Sequence, residues 1–487
     1  VPLVSSGRDR GALAIVLHTH MPYVEGFGTW PFGEEWLWEA MVGCYLPLLE
    51  LLDEGAPLTL SLTPVLCDQL EAPGLFERFE RFVDEVRRGT HVQDAEGLRA
   101  GGFETLASEL DRSWGDYAGA LESLRGRGGD LLAALAPHAR WTSSATHAVL
   151  PLLATDTGAR VQVQSGVKAH RARFGEQWRG GFWLPECAYE PWIERALEDA
   201  GVSAVCVELT NRFGLGASEH LRPILSESGV LLALIDRETV SLVWSEKGYP
   251  ASGVYRDYHH HTIHHHNPWN NAGEVYDHGA ALALAREHAA DFVTRTLERV
   301  EGAGEAGSPD GALVVCALDT ELLGHWWYEG IEWLRSVVEE CARQGLELVR
   351  IDDALERIEP VPFEALDNGA ARRAVGAEAI SWGAGGDLST WSGPAVAEMA
   401  FAARKAELAV LAAGARSGAA AIRELLALQA SDWPFMVSRE ISVPYATERF
   451  DGHREALECA LAEGPDASTQ RLRNLAAHAD LGSLLAP

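Results

Sequence analysis

Short apolar runs alternate along the chain with longer stretches of helical periodicity. The runs are ALAIVLH (13–18 at its core), LTLSLTPVL (58–66), VSAVCVEL (202–209), GVLLALID (229–236), GALVVCALD (311–319) and LELVRID (346–352). Their continuous apolar character, without polar alternation, is what strands of a parallel sheet covered on both faces require. The fold class is therefore α/β. Between Glu71 and Ala136 the pattern turns charged and helical, with FERFERFVDEVRR as its clearest piece, which predicts a helical excursion from the sheet over about 70–136. After Pro362 the alternation stops, and VAEMAFAARKAELAVLAAGARSGAAAIRELLALQA reads as Ala- and Leu-rich helix. The expected organisation is a catalytic barrel over 8–365, including the excursion, followed by a helical domain over 366–487. The segments EPVPFEALDNG (359–369) and EGAGEAGSPDG (301–311) are the candidate linkers.

Composition narrows the partners. The 487 residues carry a formal charge of −31, which disfavours binding to nucleic acid by counterion release and docking on an anionic membrane. Seven scattered cysteines without a CxxC pair fit a reducing compartment. No leader-like pattern opens the chain and no apolar run reaches the roughly 18 residues of a membrane helix, so a cytoplasmic protein is expected.

Polar residues cluster where apolar runs end, which in a β/α barrel is the catalytic face. ALAIVLHTHMPY places His18 and His20 two residues apart, on one side of an extended chain. RWTSSATH delivers His147, GFWLPE delivers Glu186 and ALVVCALD delivers Asp319. Two carboxyls so placed suggest paired acid chemistry. Each has a plainer reading: a hydrogen-bonded core histidine, a salt-bridged acid, or Asp319 and Glu321 as caps of a helix near GHWWYEG. His18, His20, Glu186 and Asp319 would also make a metal shell, although no HxxxH or HExxH spacing appears. The tract HHHTIHHH (259–266) reads as a polar loop tip more readily than as a metal site. Trp30, Trp36, Trp38, Trp183, Trp326, Trp327, Trp382, Trp391 and Trp433 lie beside these motifs or in loops. Indoles there suit stacking on flat, polar-rimmed ligands such as pyranose rings, with Trp269 of HNPWN a further candidate. Trp382 and Trp391 flank a Gly-rich turn that does not read as core.

The motifs HTHMPY, WPFGEEWLWEAM, TPVL, TSSATHAVLPLL, FWLPECAY, ALDTELLGHWWYEG, SWGAGGDLSTW and SDWPFMV, in this order from His18 to about Val437, resemble glycoside hydrolase family 57, and within it the 1,4-α-glucan branching enzymes. The resemblance implies an incomplete (β/α)7 barrel of the TIM type with a helical insertion and a helical C-terminal domain that contributes to the cleft. It implies retaining transglycosylation on an α-1,4-glucan such as amylose or glycogen, with no cofactor and no metal. Glu186 falls on the nucleophile and Asp319 on the general acid/base, a pair held about 5–5.5 Å apart in retaining enzymes. His18, His20 and His147 fall on histidines that grip the sugar, and Trp30, Trp382, Trp391 and Asp432 on residues lining the cleft. Burial of Asp319 beside Trp326 and near Glu186 would raise its pKa. Many relatives carry a long loop with a Tyr at its tip after the WLPECAY strand; here ELTNRFGLGASEHLRPIL is short and lacks Tyr. That trimming keeps an α-amylase-type hydrolase or a 4-α-glucanotransferase as the alternative. A silent glucan-binding protein predicts binding without turnover, and a metal-dependent deacetylase-like hydrolase predicts sensitivity to chelator.

Overall fold

The computed structural model describes residues 11–28, 33–175, 178–305, 311–363, 378–469, 472–479, 482 and 484. Ten strands form one sheet: β1 (Ala12–Thr19), β2 (Thr59–Leu62), β3 (Ala139–Ser143), β4 (Gly181–Trp183), β5 (Ala204–Val207), β6 (Ile224–Leu225), β7 (Leu231–Leu234), β8 (Leu313–Asp319), β9 (Glu347–Leu348) and β10 (Val361–Pro362). The order is β10-β6-β7-β5-β4-β3-β2-β1-β8, with β9 beside β1. All pairings are parallel except β6 with β7. The sheet curls until β7 meets β8 through one bridge, Ile235 to Val315, where the Asp236 N–H donates to the Val315 carbonyl at 3.0 Å. The ring β1-β2-β3-β4-β5-β7-β8 is thus a seven-stranded barrel whose last seam is barely stitched. That is the incomplete (β/α)7 barrel expected from the motifs.

Strand β1 is paired on both edges, with β2 and with β8, and all eight of its residues are buried. Because both faces and both edges are covered, ALAIVLHT carries no polar residue until its end. The register sets His18 opposite Ser61 of β2 on one side and opposite Asp319 of β8 on the other. Residues distant in sequence therefore meet at one rim by hydrogen-bond register.

The excursion between β2 and β3 is helical as predicted, built from Leu75–Arg81, Arg88–Ala100, Glu104–Gly126 and Leu131–Leu135. It receives the histidine tract. The Arg87 guanidinium donates to the His264 carbonyl at 2.7 Å, the His264 ring meets Asp94 at 2.6 Å, and the His266 ring contacts Thr90 at 3.2 Å. The tract is a loop docked on the insertion by ordinary polar contacts. Helices Ala397–Ala413, Gly418–Leu428, Asp432–Ser438 and Val443–Glu463 form the C-terminal region around Leu425, Leu426, Trp433, Phe450 and Leu457. The predicted boundary at 365–366 lies outside the described residues. All seven cysteines are free, and only Cys459 is exposed. Among the described residues no helix is long and apolar enough to cross a membrane.

Candidate active site

Three imidazoles stack at the rim of the barrel. The His18 ring lies on Trp183 with centroids 4.4 Å apart, and the His20 ring lies on His147 at 3.9 Å. His18 Nε2 meets His147 Nε2 at 2.9 Å, and His147 Nδ1 meets the Ser431 hydroxyl at 2.8 Å. Burial, reinforced by the charge on His20, holds His18 and His147 well below the usual histidine range, so both are neutral. His20 is different. Burial alone would depress it, but Asp432, 2.9 Å from its Nε2, lifts it above that range. Its Nδ1 lies 3.3 Å from the Thr63 hydroxyl. A ring with raised proton affinity thus covers a pair with lowered proton affinity. The imidazoles were expected to grip sugar hydroxyls, yet both ring nitrogens of His147 and of His20 are engaged by protein groups.

Glu186 follows β4 in a strained turn. Its φ is 61° and that of Cys187 is 49°, left-handed values that non-glycine residues adopt only where the surroundings impose them. His147 shares the feature, with φ of 58°. The Glu186 carboxylate accepts from Trp382 Nε1 at 3.0 Å on one oxygen and from the Ser431 hydroxyl at 2.9 Å on the other. The Trp382 N–H also donates to the Glu186 carbonyl at 3.1 Å, so the indole is braced on the turn it serves. Burial pushes the Glu186 pKa up, and the two donors oppose that rise by favouring the ionised form.

Asp319 ends β8 and is partly exposed. Among the described residues no side chain hydrogen-bonds its carboxyl. Burial, then Glu321, then Glu186 hold it well above the ordinary carboxylate range. Trp326, expected beside Asp319, is 42% exposed and lies on Tyr258 with ring centroids 4.5 Å apart. After burial, the largest influence on Asp319 is the charge of Glu321, which is not a helix cap. Its Oε1 accepts from the Tyr45 hydroxyl at 2.6 Å and from the His20 N–H at 3.1 Å, and burial pushes its pKa up to about 7. Tyr45 reaches it from a π-helical turn, Met41–Tyr45, set between Glu34–Ala40 and Leu46–Asp53. That turn passes close to the loop after β8: a Cβ on Gly324, whose φ is 100°, would lie 1.9 Å from the Gly43 carbonyl oxygen. Only glycine fits there.

The indoles divide. Trp382 borders Glu186 and meets Trp183 edge-on at 5.2 Å. Trp391 is 1% exposed and packs with Val149, Ala188, Leu388 and Trp382. This corrects the expectation that it offers a stacking face: the Gly-rich turn folds back over it and makes it core. Trp269 stacks on His260 at 4.0 Å within the histidine loop. Trp30 lies outside the described residues. Asp432 is in place, carried by the C-terminal helix it begins. Sequence reading missed Ser431, Tyr45 and the partnership of Trp183 with His18. SDWPFMV was a motif, but nothing in it singled out the serine.

The described residues hold no group of three His, Cys, Asp or Glu side chains arranged to bind a metal ion. The His18 and His147 nitrogens face each other instead. What converges is one carboxylate fixed by two donors and a second carboxyl with strongly raised proton affinity. Such a pair divides the labour of nucleophile and acid.

Residues 141–367 match the family model for glycosyl hydrolase family 57, and residues 394–481 match that for the 1,4-alpha-glucan branching enzyme C-terminal domain. The chain is 31% identical to a 1,4-alpha-glucan branching enzyme of Thermococcus kodakarensis, over 92% of this chain and 74% of that protein. It is 30% identical to a probable 1,4-alpha-glucan branching enzyme of Mycobacterium tuberculosis, over 95% of this chain and 94% of the other. The crystal structure of a GH57-type branching enzyme from Pyrococcus horikoshii superposes with a TM-score of 0.86 at 30% identity, covering 98% of this chain and 97% of that one.

Proposed function

The chain belongs to glycosyl hydrolase family 57, and from that premise we propose that it is a 1,4-alpha-glucan branching enzyme acting by double displacement. Glu186 attacks the anomeric carbon of an α-1,4-linked glucan while Asp319 protonates the departing oxygen, leaving a covalent glycosyl ester on Glu186. Asp319, now ionised, takes the proton from the 6-hydroxyl of an acceptor glucan. That oxygen displaces Glu186, and an α-1,6 linkage of the original configuration results. Substrates of the class are α-glucans; amylose and glycogen are the proposed natural ones.

The observation that carries the reading is the opposite treatment of the two carboxyls. Glu186 receives two donors, which favour the anion a nucleophile must be. Among the described residues no side chain donates to Asp319, and burial with two acids, Glu321 and Glu186, favours the protonated form a general acid must be. The short segment after β5, without a Tyr, favours hydrolysis as the second reading, since water replaces the 6-hydroxyl wherever it reaches the ester. Proton NMR of amylose incubated with the enzyme separates them. Dominant α-1,6 anomeric signals establish branching, and dominant new reducing ends establish hydrolysis. Glu186→Ala abolishes both; full activity in that variant would overturn the assignment.

A further inference from the structure

We infer that Ser431, a residue of the C-terminal helical region, is a positioning residue for the nucleophile: its hydroxyl, oriented by His147, orders and stabilises the Glu186 carboxylate. The inference rests on the reading of Glu186 as nucleophile. It comes from hydrogen-bond polarity. Four groups form a chain, His18 Nε2 to His147 Nε2 at 2.9 Å, His147 Nδ1 to Ser431 Oγ at 2.8 Å, and Ser431 Oγ to Glu186 Oε1 at 2.9 Å. Each neutral imidazole carries one N–H, so the chain runs in one of two senses.

If His147 donates to His18, then His18 must carry its proton on Nδ1. That atom is buried without a partner, so a donor is orphaned. His147 Nδ1 would then be a bare lone pair requiring the Ser431 proton, and the serine oxygen would face an ionised carboxylate with nothing between them. Both faults vanish in the opposite sense. His18 Nε2–H donates to His147, His147 Nδ1–H donates to Ser431, and the Ser431 O–H donates to Glu186. An unpaired buried acceptor on His18 remains, the milder defect.

The backbone fixes the same orientation. The Ser431 N–H donates to the His147 carbonyl at 3.0 Å, and Ala148 bridges Ala430, so His147 holds Ser431 from main chain and side chain together. The left-handed φ of 58° at His147 is what turns carbonyl and ring toward the same residue. Ser431 is buried and Trp382 holds the other Glu186 oxygen, so each carboxylate oxygen has one fixed donor. The donors act twice. They favour the anion before attack and the departing carboxylate when the acceptor displaces it.

The test is the pH profile of kcat/KM on an activated α-maltooligoside. The titratable groups facing Glu186 are His20 from the end of β1, His147 after β3, Cys187 beside it, Asp319 of β8 and Asp432 of the C-terminal helix. Ser431→Ala leaves all of them in place. Expected is a fall in kcat of about 10- to 100-fold, the effect of one hydrogen bond to a charged group, with KM little changed and the acid limb displaced upward by about one pH unit or more. Ser431→Thr, which restores the hydroxyl, returns the limb toward the parent. A Ser431→Ala enzyme with the parental acid limb overturns the inference, whatever its activity. Should that variant not fold, Ser431→Cys, nearly isosteric with a weak donor, is read for the same displacement, and a parental limb again overturns it. Glu186→Gln run in parallel separates the two readings. If it is active, the nucleophile assignment and the inference both fall; if it is inactive while the Ser431 variants keep the parental limb, only the inference falls.

Discussion

Glu321→Gln changes one buried carboxyl to its neutral isostere and leaves the contacts intact, because the amide oxygen still accepts from Tyr45 and from the His20 N–H. In the native protein the Glu321 pKa stands at about 7 against an ordinary 4.5. A raised carboxyl binds its proton more tightly in the folded state, so its ionisation opposes folding. The penalty is absent below the unfolded pKa, grows between pH 4.5 and 7, and is complete above. The difference of about 2.5 units corresponds to about 3 kcal/mol. Glu321→Gln is therefore expected to stabilise the protein by about 3 kcal/mol at pH 8 and by under about 1 kcal/mol at pH 5. Denaturant midpoints at the two pH values measure this. The same change removes a negative charge that helps hold the proton on Asp319. The alkaline limb of the activity profile should consequently move to lower pH, by about 1–2 units for a neighbouring like charge. Equal stability gains at both pH values, or an alkaline limb that stays or rises, would refute the reasoning that Glu321 sits there to tune the acid at a cost in stability.

Three further outcomes are expected. Asp432→Asn removes the partner of a raised histidine; that pair stabilises fully below about pH 6.5 and its contribution is lost as pH rises through the higher folded value, so the variant should lose about 3 kcal/mol at pH 6 and progressively less above it, with the His20 ring titration by NMR moving down. Gly324→Ala sets a methyl 1.9 Å from the Gly43 carbonyl at a φ of 100°; a loss of more than about 3 kcal/mol is expected, and a parental melting temperature would show the contact is loose. Trp391→Ala should cost about 3–5 kcal/mol through the cavity it leaves, whereas Trp391→Phe should keep KM for glucan, which a stacking platform would not allow.

The alternation of apolar runs with helical periodicity determined the α/β class, the helical excursion and the helical C-terminal region, because burial on both faces of a sheet dictates composition directly. The same logic placed His18, His147, Glu186 and Asp319 at strand ends. Very short strands were harder to read: β6 and β10 have two residues each, too few for any period, whereas β9, equally short, was legible only inside the longer run LELVRID. What the tertiary structure alone decided is pairing. Register set His18 against Asp319, a single bridge closed the barrel, and the turn after Trp382 folded Trp391 into the core. Ser431 and Tyr45 carry no local signal, since a serine before a helix and a tyrosine within one are ordinary in sequence. Their roles arise from contacts between segments hundreds of residues apart, and such contacts follow from how packed elements meet rather than from the preference of any one stretch of chain.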